Sequence, residues 1–196
     1  MSDRIITISR QFGSGGRTIG RQLGEKLGLR CYDQEMIERI VEQSGFTEDY
    51  IRQHGEYAEH GFFAGLASAG YYGTSNQDLI WTLQCRTIRE IAEQGPCIIV
   101  GRCADYVLRD EKKLLKVFIH ASEDYRAKRI VEVYGERTET PEQRIKEKDK
   151  ARAAYYRFYT DMKWGASRNY DISLDSETIG LDNCVDILAR IYQNMD

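Results

Sequence analysis

A glycine-rich turn between a strand pattern and a helix pattern constrains the fold of this chain most. Residues 5–8, Ile-Ile-Thr-Ile, are almost entirely β-branched and apolar, which is typical of a strand buried on both faces. From Thr18 onward, apolar residues recur every four positions, as on one face of a helix, at Ile19, Leu23 and Leu27. The turn between them contains Gly13, Gly15 and Gly16. This order predicts a strand, a tight turn and the N-terminus of a helix.

Such a turn is suited to binding an anion. Glycine allows positive φ angles and close approach of the backbone to a bound group. Amide groups converge at a helix N-terminus, where the helix dipole adds about half a positive charge. We therefore interpret the turn as a nucleotide phosphate cradle, with Arg17 as a cation and Thr18 as a hydroxyl ligand for Mg²⁺. Its residues are Gly13, Ser14, Gly15, Gly16, Arg17 and Thr18. The alternative is a tight turn with no ligand.

The turn departs from the usual phosphate-loop motif in one respect. When G-x-x-x-x-G-K-[ST] is laid on residues 11–18, Gln11 replaces the first glycine and Arg17 replaces the lysine. Moving the alignment by one matches a G-x-G-K-x-T loop but puts Gly16 at the lysine position. Neither alignment supplies a lysine, so Arg17 is the candidate substitute.

Composition and charge limit the kinds of molecule that this chain is expected to bind. The net charge of −3 and the pI near 5.7 argue against nucleic acid as a partner, so phosphate chemistry must use a local cluster of cations. No signal region and no apolar run of ~20 residues is present, so we expect no membrane partner and a cytoplasmic location. The 5 cysteines contain no C-x-x-C pair, which favours reduced thiols over a metal site.

After the turn, strand and helix patterns alternate along the chain. Further strands are predicted over 29–32, 97–100, 114–120 and 171–174, and helices over 34–43, 77–93 and 181–192, with others beginning at Ser122 and Pro141. This alternation predicts an α/β fold with a parallel sheet of about five strands and helices on both faces. No linker interrupts it, so we expect one domain over residues 1–196.

Two segments stand apart from this alternation. Residues 44–75 contain a predicted helix over 47–54 and then a glycine- and aromatic-rich stretch over 61–73. That stretch is a mobile arm over the substrate, a homodimer contact, or an irregular segment packed on its own core. Residues 134–165 are a candidate lid, because their predicted helix carries many Arg and Lys residues. Such a helix either clamps transferring phosphoryl groups or is a solvated charged surface.

Polar residues follow two of the predicted strands. Asp33 either caps the next helix or faces a ligand crevice at the carboxyl edge of the sheet. Arg102 follows the strand over 97–100, where its planar guanidinium is suited to clamp a phosphate. The alternative for Arg102 is an ion pair with Asp105 that holds the turn.

Several segments together resemble the cytidylate kinase-like family of nucleoside monophosphate kinases, within the P-loop NTPases. The resemblance extends over nearly the whole chain and is carried by residues 8–17, 32–33, 99–105, 116–124 with Arg126 and Arg129, 145–152, 164–165, 169–171 and 174–176. The resemblance implies a P-loop fold with a helical lid, and transfer of the γ-phosphoryl group of ATP to a pyrimidine nucleoside monophosphate with Mg²⁺.

The resemblance also implies roles for individual residues. The loop from Gly13 to Thr18 holds ATP, with Arg17 among the catalytic cations and Thr18 reaching Mg²⁺. Asp33 and Arg102 bind the acceptor nucleotide, and Asp105 lies nearby. The cations facing the transferring group are Arg126, Arg129 and Arg152. Because the loop lacks its lysine, an alternative is an ATP-binding protein of the same fold with another small-molecule acceptor or little turnover.

Overall fold

A five-stranded parallel sheet forms the centre of the protein. The computed structural model describes residues 4–33 and 76–195, together with the single positions 39, 43 and 45. The strands are β1 (Ile5–Arg10), β2 (Arg30–Tyr32), β3 (Cys97–Val100), β4 (Leu114–His120) and β5 (Ile172–Asp175). Their spatial order is β2-β3-β1-β4-β5, and all four pairings are parallel. The central strand β1 therefore ends between the ends of β3 and β4.

Helices connect the strands within the described residues. They are α1 (Gly16–Leu27), α2 (Asn76–Glu93), α3 (Ala104–Val107), α4 (Glu123–Tyr134), α5 (Pro141–Thr160), α6 (Ser176–Ile179) and α7 (Leu181–Gln193), with a 3₁₀ turn over Ser167–Asn169. None of the helices in this described part is long and apolar enough to cross a membrane.

The sheet separates two hydrophobic layers because side chains alternate across each strand. Ile6 and Ile8 of β1 pack with α1 and α7, in a layer that includes Leu23 and Leu188. Ile5 points the other way, into a layer formed with α2 and α3. Both faces of β1 are thus buried, which explains its uninterrupted apolar sequence. The predicted parallel α/β fold with helices on both faces is confirmed.

Helix ends follow the sequence signals. Gly28, with φ of 67°, ends α1 in the left-handed conformation. Ser122 caps α4 by accepting from the amide of Tyr125. Thr140 and Gln143 form a capping box at the start of α5, with Pro141 in its first turn.

Two strand boundaries differ from the prediction. The second strand begins at Arg30 rather than at residue 29, since the chain first closes the end of α1 through the Leu29 amide and the Gly24 carbonyl. The last strand covers Ile172–Asp175 rather than 171–174, because the Asp171 carboxylate accepts the Lys116 amide (2.8 Å) before the ladder begins. The predicted helix over 47–54 and the stretch over 61–73, with its arm and dimer roles, lie outside the described residues, as does most of 34–43.

Candidate active site

The phosphate loop, residues 11–18, joins β1 to α1 at the carboxyl edge of the sheet. Gly13 and Gly15 adopt φ of 82° and 83°, a conformation that favours glycine. A Cβ atom on Gly13 would lie 2.9 Å from the carbonyl oxygen of Arg126, and one on Gly15 would lie 2.5 Å from Leu181 Cδ2. The positive φ angle thus favours glycine at both positions, and at Gly13 the α4 backbone also leaves no room for a Cβ atom.

The loop presents unused hydrogen-bond donors. Within the part of the chain that the structure describes, five backbone amides of the loop donate no hydrogen bond to a protein acceptor: those of Gly13, Gly15, Gly16, Arg17 and Thr18. The first turn of α1 has neither a side-chain cap nor an acidic residue, unlike the capped α4 and α5. Free amides at a helix N-terminus favour an anion. The loop is thus suited to hold phosphate groups.

The structure brings two predicted site residues together in an ion pair. Arg17 Nε lies 2.5 Å from Asp33 Oδ2 at the end of β2, and the Arg17 side chain is 46% exposed. The cation that replaces the usual lysine is therefore directed toward β2. One residue on, the hydroxyl of Thr18 accepts a hydrogen bond from Arg129 Nη2 (2.8 Å).

Arg126 lies against the backbone of the phosphate loop. Its Nη1 donates to the Phe12 carbonyl (3.2 Å) and to Asp149 Oδ2 (2.6 Å), and its Nε donates to the Ala121 carbonyl (3.2 Å). The side chain is buried. Among the described residues, Arg126 thus contacts two backbone carbonyl groups and the Asp149 carboxylate.

Asp149 joins the basic helix α5 to the loop. Its Oδ1 accepts the amide of Phe12 (2.7 Å) and lies 3.7 Å from Arg152 Nη1. Arg152 in turn donates to the carbonyl of Arg10 (3.1 Å), and its guanidinium lies over the ring of Phe12. Asp149 was not among the site residues predicted from the sequence. The available signal was an acidic residue inside a run of basic residues, three positions before Arg152.

The turn after β3 is left-handed over three consecutive residues. Gly101, Arg102 and Cys103 have φ of 78°, 60° and 53°. Residues other than glycine rarely adopt this backbone conformation, because their Cβ atom crowds the following carbonyl oxygen, and they seldom adopt it at successive positions. Gln84 Nε2 donates to the Arg102 carbonyl (3.0 Å), and the Tyr155 hydroxyl donates to Gln84 Oε1 (3.2 Å). A buried network from α2 and α5 thus holds the turn in a strained conformation.

A crevice lies between this turn, the end of β1 and α5. The crevice is narrow and partly open to solvent. Its walls combine three arginines and three aromatic side chains: Arg10, Arg102 and Arg152 with Tyr155, Tyr156 and Trp164. Arg10 immediately precedes the phosphate loop in sequence. A cationic crevice therefore adjoins the loop that offers free amides.

Asp105 lies beneath the crevice and is only 4% exposed. Its carboxylate accepts from the hydroxyls of Tyr156 (2.7 Å) and Ser9 (3.4 Å), and not from Arg102, among the described residues. Burial raises the pKa of Asp105 to about 6, although these two hydrogen bonds partly oppose the shift. Burial and the neighbouring Asp105 also raise the pKa of Tyr156. Asp105 therefore supports the crevice wall through Tyr156 rather than pairing with Arg102.

Other crevice residues were not selected from the sequence. Arg10 is the last residue of an apolar strand, and Tyr156 and Trp164 belong to an aromatic cluster that is as typical of a core as of a site. Ser176, which contacts the phosphate loop, belongs to the segment 174–176 that resembles the family, but no role of its own was predicted for it from the sequence. These residues come from elements distant in sequence, and only the folding of the chain brings them together.

A protein-family model matches most of the chain. The model described as "Cytidylate kinase-like family" matches residues 5–178, which include the loop and the crevice. The chain belongs to this family. It is 26% identical over 193 residues to a cytidylate kinase of Methanopyrus kandleri (94% of this chain, 90% of the relative). It is 27% identical over 173 residues to one of Methanothrix thermoacetophila (88% of each).

Solved structures agree on the fold of this family member. An uncharacterised protein from Eubacterium ventriosum superposes with a TM-score of 0.74 at 28% identity, covering 97% of this chain and 99% of that one. A shikimate kinase from Acinetobacter baumannii is similar with a TM-score of 0.55 at 18% identity, covering 97% and 94%. At that identity the likeness concerns the fold alone, which is that of P-loop kinases.

Proposed function

We propose that this protein transfers the γ-phosphoryl group of ATP to a pyrimidine nucleoside monophosphate, with CMP as the preferred acceptor, and forms the diphosphate. The observation that carries the proposal is the junction of two features, the free amides of the phosphate loop and the adjoining crevice with its arginines. The relatives named cytidylate kinase support the acceptor class. We further propose that the reaction takes place in the cytoplasm on free nucleotides.

The phosphate loop is the proposed site for ATP. Its free amides and the uncapped N-terminus of α1 match the charge of a polyphosphate. Mg²⁺ also fits, because the Thr18 hydroxyl oxygen has two lone pairs and Arg129 uses one. Mg²⁺ usually takes its remaining ligands from phosphates and water. When bound, it would neutralise charge on the ATP phosphates.

The crevice is the proposed acceptor site. Arg102 and Arg152 would bind the phosphate of the monophosphate, since guanidinium groups pair with phosphate oxygens in a two-pronged geometry. The rings of Tyr155, Tyr156 and Trp164 offer apolar surfaces for the rest of the nucleotide. Asp33, at the neighbouring end of β2, is retained as an acceptor contact once Arg17 releases it.

Arginines rather than a protein nucleophile do the chemical work in this proposal. An oxygen of the acceptor phosphate attacks the γ-phosphorus, the bond to the bridging oxygen breaks, and ADP leaves. Such transfer needs positioning and charge neutralisation but little covalent help. Arg129, beside Thr18, and Arg152, between crevice and loop, are the proposed cations at the transferring group.

A transfer assay tests the proposal. The protein is incubated with ATP, Mg²⁺ and single acceptors (CMP, dCMP, UMP, AMP and GMP), and nucleoside diphosphates are separated by chromatography. We expect CDP or dCDP to form fastest. The Arg102→Ala variant, purified in the same way, controls for contaminating kinases. Absence of a diphosphate from every acceptor would exclude the proposed reaction.

A second candidate is an ATP-binding protein of the same fold with little turnover or another acceptor. The ion pair between Arg17 and Asp33 favours it, because the substitute for the usual lysine already has a carboxylate partner. Calorimetry that detects ATP binding in a protein with no transfer activity would support this candidate. Measurable diphosphate formation would exclude it.

A further inference from the structure

The carbonyl groups of the phosphate loop are held by side chains from distant parts of the chain. In a trans peptide unit the C=O and the following N–H point in opposite directions. Fixing the oxygen of one residue therefore fixes the direction of the next residue's amide. Two such units matter here, Phe12–Gly13 and Ser14–Gly15, because they end at glycine amides with no acceptor in the described structure.

Ser176 holds the second unit. Its Oγ lies 2.6 Å from the Ser14 carbonyl oxygen and 3.1 Å from that of His120. A hydroxyl has one proton, and the shorter contact is the one to Ser14. Ser176 is fully buried, so water does not compete for this bond. The Gly15 amide consequently points away from Ser176.

Asp149 and Arg126 hold the first unit. Arg126 Nη1 donates to the Phe12 carbonyl (3.2 Å), and Asp149 Oδ2 accepts from the same nitrogen (2.6 Å). The other oxygen of Asp149 accepts the Phe12 amide (2.7 Å). Both sides of Phe12 are thus anchored, and the Gly13 amide points away from Arg126.

Anchoring matters because Gly13 and Gly15 make these peptide units easy to rotate. A loop that populates several orientations binds its ligand more weakly, in proportion to the fraction in the competent state. We infer that Ser176 and the Asp149–Arg126 pair are positioning residues, which aim the Gly15 and Gly13 amides at the polyphosphate of ATP by holding the carbonyls behind them. This rests on the proposed function, in that ATP occupies the loop.

This inference changes the role of Arg126. The resemblance to the family implies a cation facing the transferring group, whereas Arg126 donates to Phe12, Ala121 and Asp149 in the structure. We therefore place Arg126 behind the loop, where it acts through the backbone.

Calorimetric titration of the full-length protein with ATP tests the inference. We expect Ser176→Ala to raise the Kd for ATP about tenfold, in line with the loss of one buried hydrogen bond that orients the loop. Ser173→Ala, an exposed serine on the neighbouring strand β5, is the matched control and should bind ATP as the wild type does. Asp149→Ala should weaken ATP binding more than Asp149→Asn does, since the asparagine side-chain oxygen can still accept a hydrogen bond from the Phe12 amide.

Steady-state kinetics provide a readout that a purely structural role would not move. Ser176→Ala should raise KM for ATP and leave KM for the acceptor unchanged, whereas general loosening would raise both. An unchanged Kd for ATP in both Ser176→Ala and Asp149→Ala would overturn the inference. If the wild type binds ATP but forms no diphosphate, the proposed function fails and the calorimetric comparison still decides the inference. If the wild type binds no ATP, both fail.

Discussion

The turns after β1 and β3 lie side by side, because the two strands are paired with Ile8 opposite Val100. Both turns use the left-handed backbone region, but they fill it differently. The first places Gly13 and Gly15 there, and the second places Arg102 and Cys103 there after Gly101.

This difference follows what each turn exposes. In the phosphate loop the groups that we propose to bind ATP are backbone amides, and at Gly13 a Cβ atom would overlap the backbone of α4. In the β3 turn the side chains of Arg102 and Cys103 line the crevice that we propose as the acceptor site, and the left-handed conformation costs about 1–2 kcal/mol per residue. Under the proposed function, glycine occupies the left-handed positions where the backbone binds the ligand, and a larger residue occupies them where a side chain does.

The largest effect is expected from adding a Cβ to the loop. Gly13→Ala should lower the free energy of unfolding by about 3 kcal/mol or more, because strain at positive φ adds to the overlap with the Arg126 backbone. Gly28→Ala is the matched control, since its φ is also positive (+67°) but nothing lies within 4 Å. It should cost only about 1 kcal/mol. Urea denaturation compares the two; equal losses would show that packing on the loop is unimportant.

The second prediction concerns the side chain that the β3 turn retains. Arg102→Ala should lower kcat/KM for the acceptor by roughly 30- to 1,000-fold, or about 2–4 kcal/mol, as a charge-assisted clamp is lost. Arg109→Ala is the control, because Arg109 is half-exposed and donates to the Tyr106 carbonyl outside the crevice. Unchanged kinetics in Arg102→Ala would mean that the strained turn serves only the fold.

The third prediction uses the carboxyl beneath the same turn. Because burial raises the pKa of Asp105 from 3.8 to about 6, the folded protein binds more protons than the unfolded chain between these values. Stability relative to Asp105→Asn should therefore fall as pH rises from about 4 to 7, by about 2–3 kcal/mol. Urea denaturation of both proteins across this range measures the difference. A pH-independent difference would mean that the Asp105 carboxyl does not titrate anomalously.

The smallest effect is expected at a left-handed residue whose side chain lines neither turn. Asp161 ends α5 with φ of 54°, and its side chain is 94% exposed, near Arg157. Asp161→Gly should raise the free energy of unfolding by about 0.5–1 kcal/mol, since glycine relieves the strain and an exposed ion pair contributes little. Transfer activity should not change. A clear loss of stability would show that the strain at Asp161 is small.

These two turns also show which structural features can be predicted from the sequence. The phosphate loop is visible because its signal is local, with glycines flanked by a strand pattern and a helix pattern. The order of strands and helices is visible for the same reason. Arg102 was selected for its position after a strand, but nothing local indicates three successive left-handed residues. That conformation depends on Gln84 and Tyr155, which are distant in sequence.

The roles of single residues were harder to predict, because they depend on contacts between elements that are distant in sequence. Arg17 and Asp33 were assigned to different ligands, and the structure pairs them. Asp105 was placed beside the acceptor, and the structure buries it under Tyr156. Such contacts depend on how helices pack on the sheet, which the periodicity of one segment does not specify. The assignments of these residues to ligands stay predictions.

The most direct test of the central claim is an NMR titration of the ¹⁵N-glycine-labelled protein with ATP. We expect the amide resonances of Gly13, Gly15 and Gly16 to shift strongly, because these amides, which have no acceptor among the described residues, would donate hydrogen bonds to the phosphate oxygens. The resonances of Gly28 and Gly135, which lie at other helix ends, should stay in place. Unshifted loop glycines at saturating ATP would contradict the account.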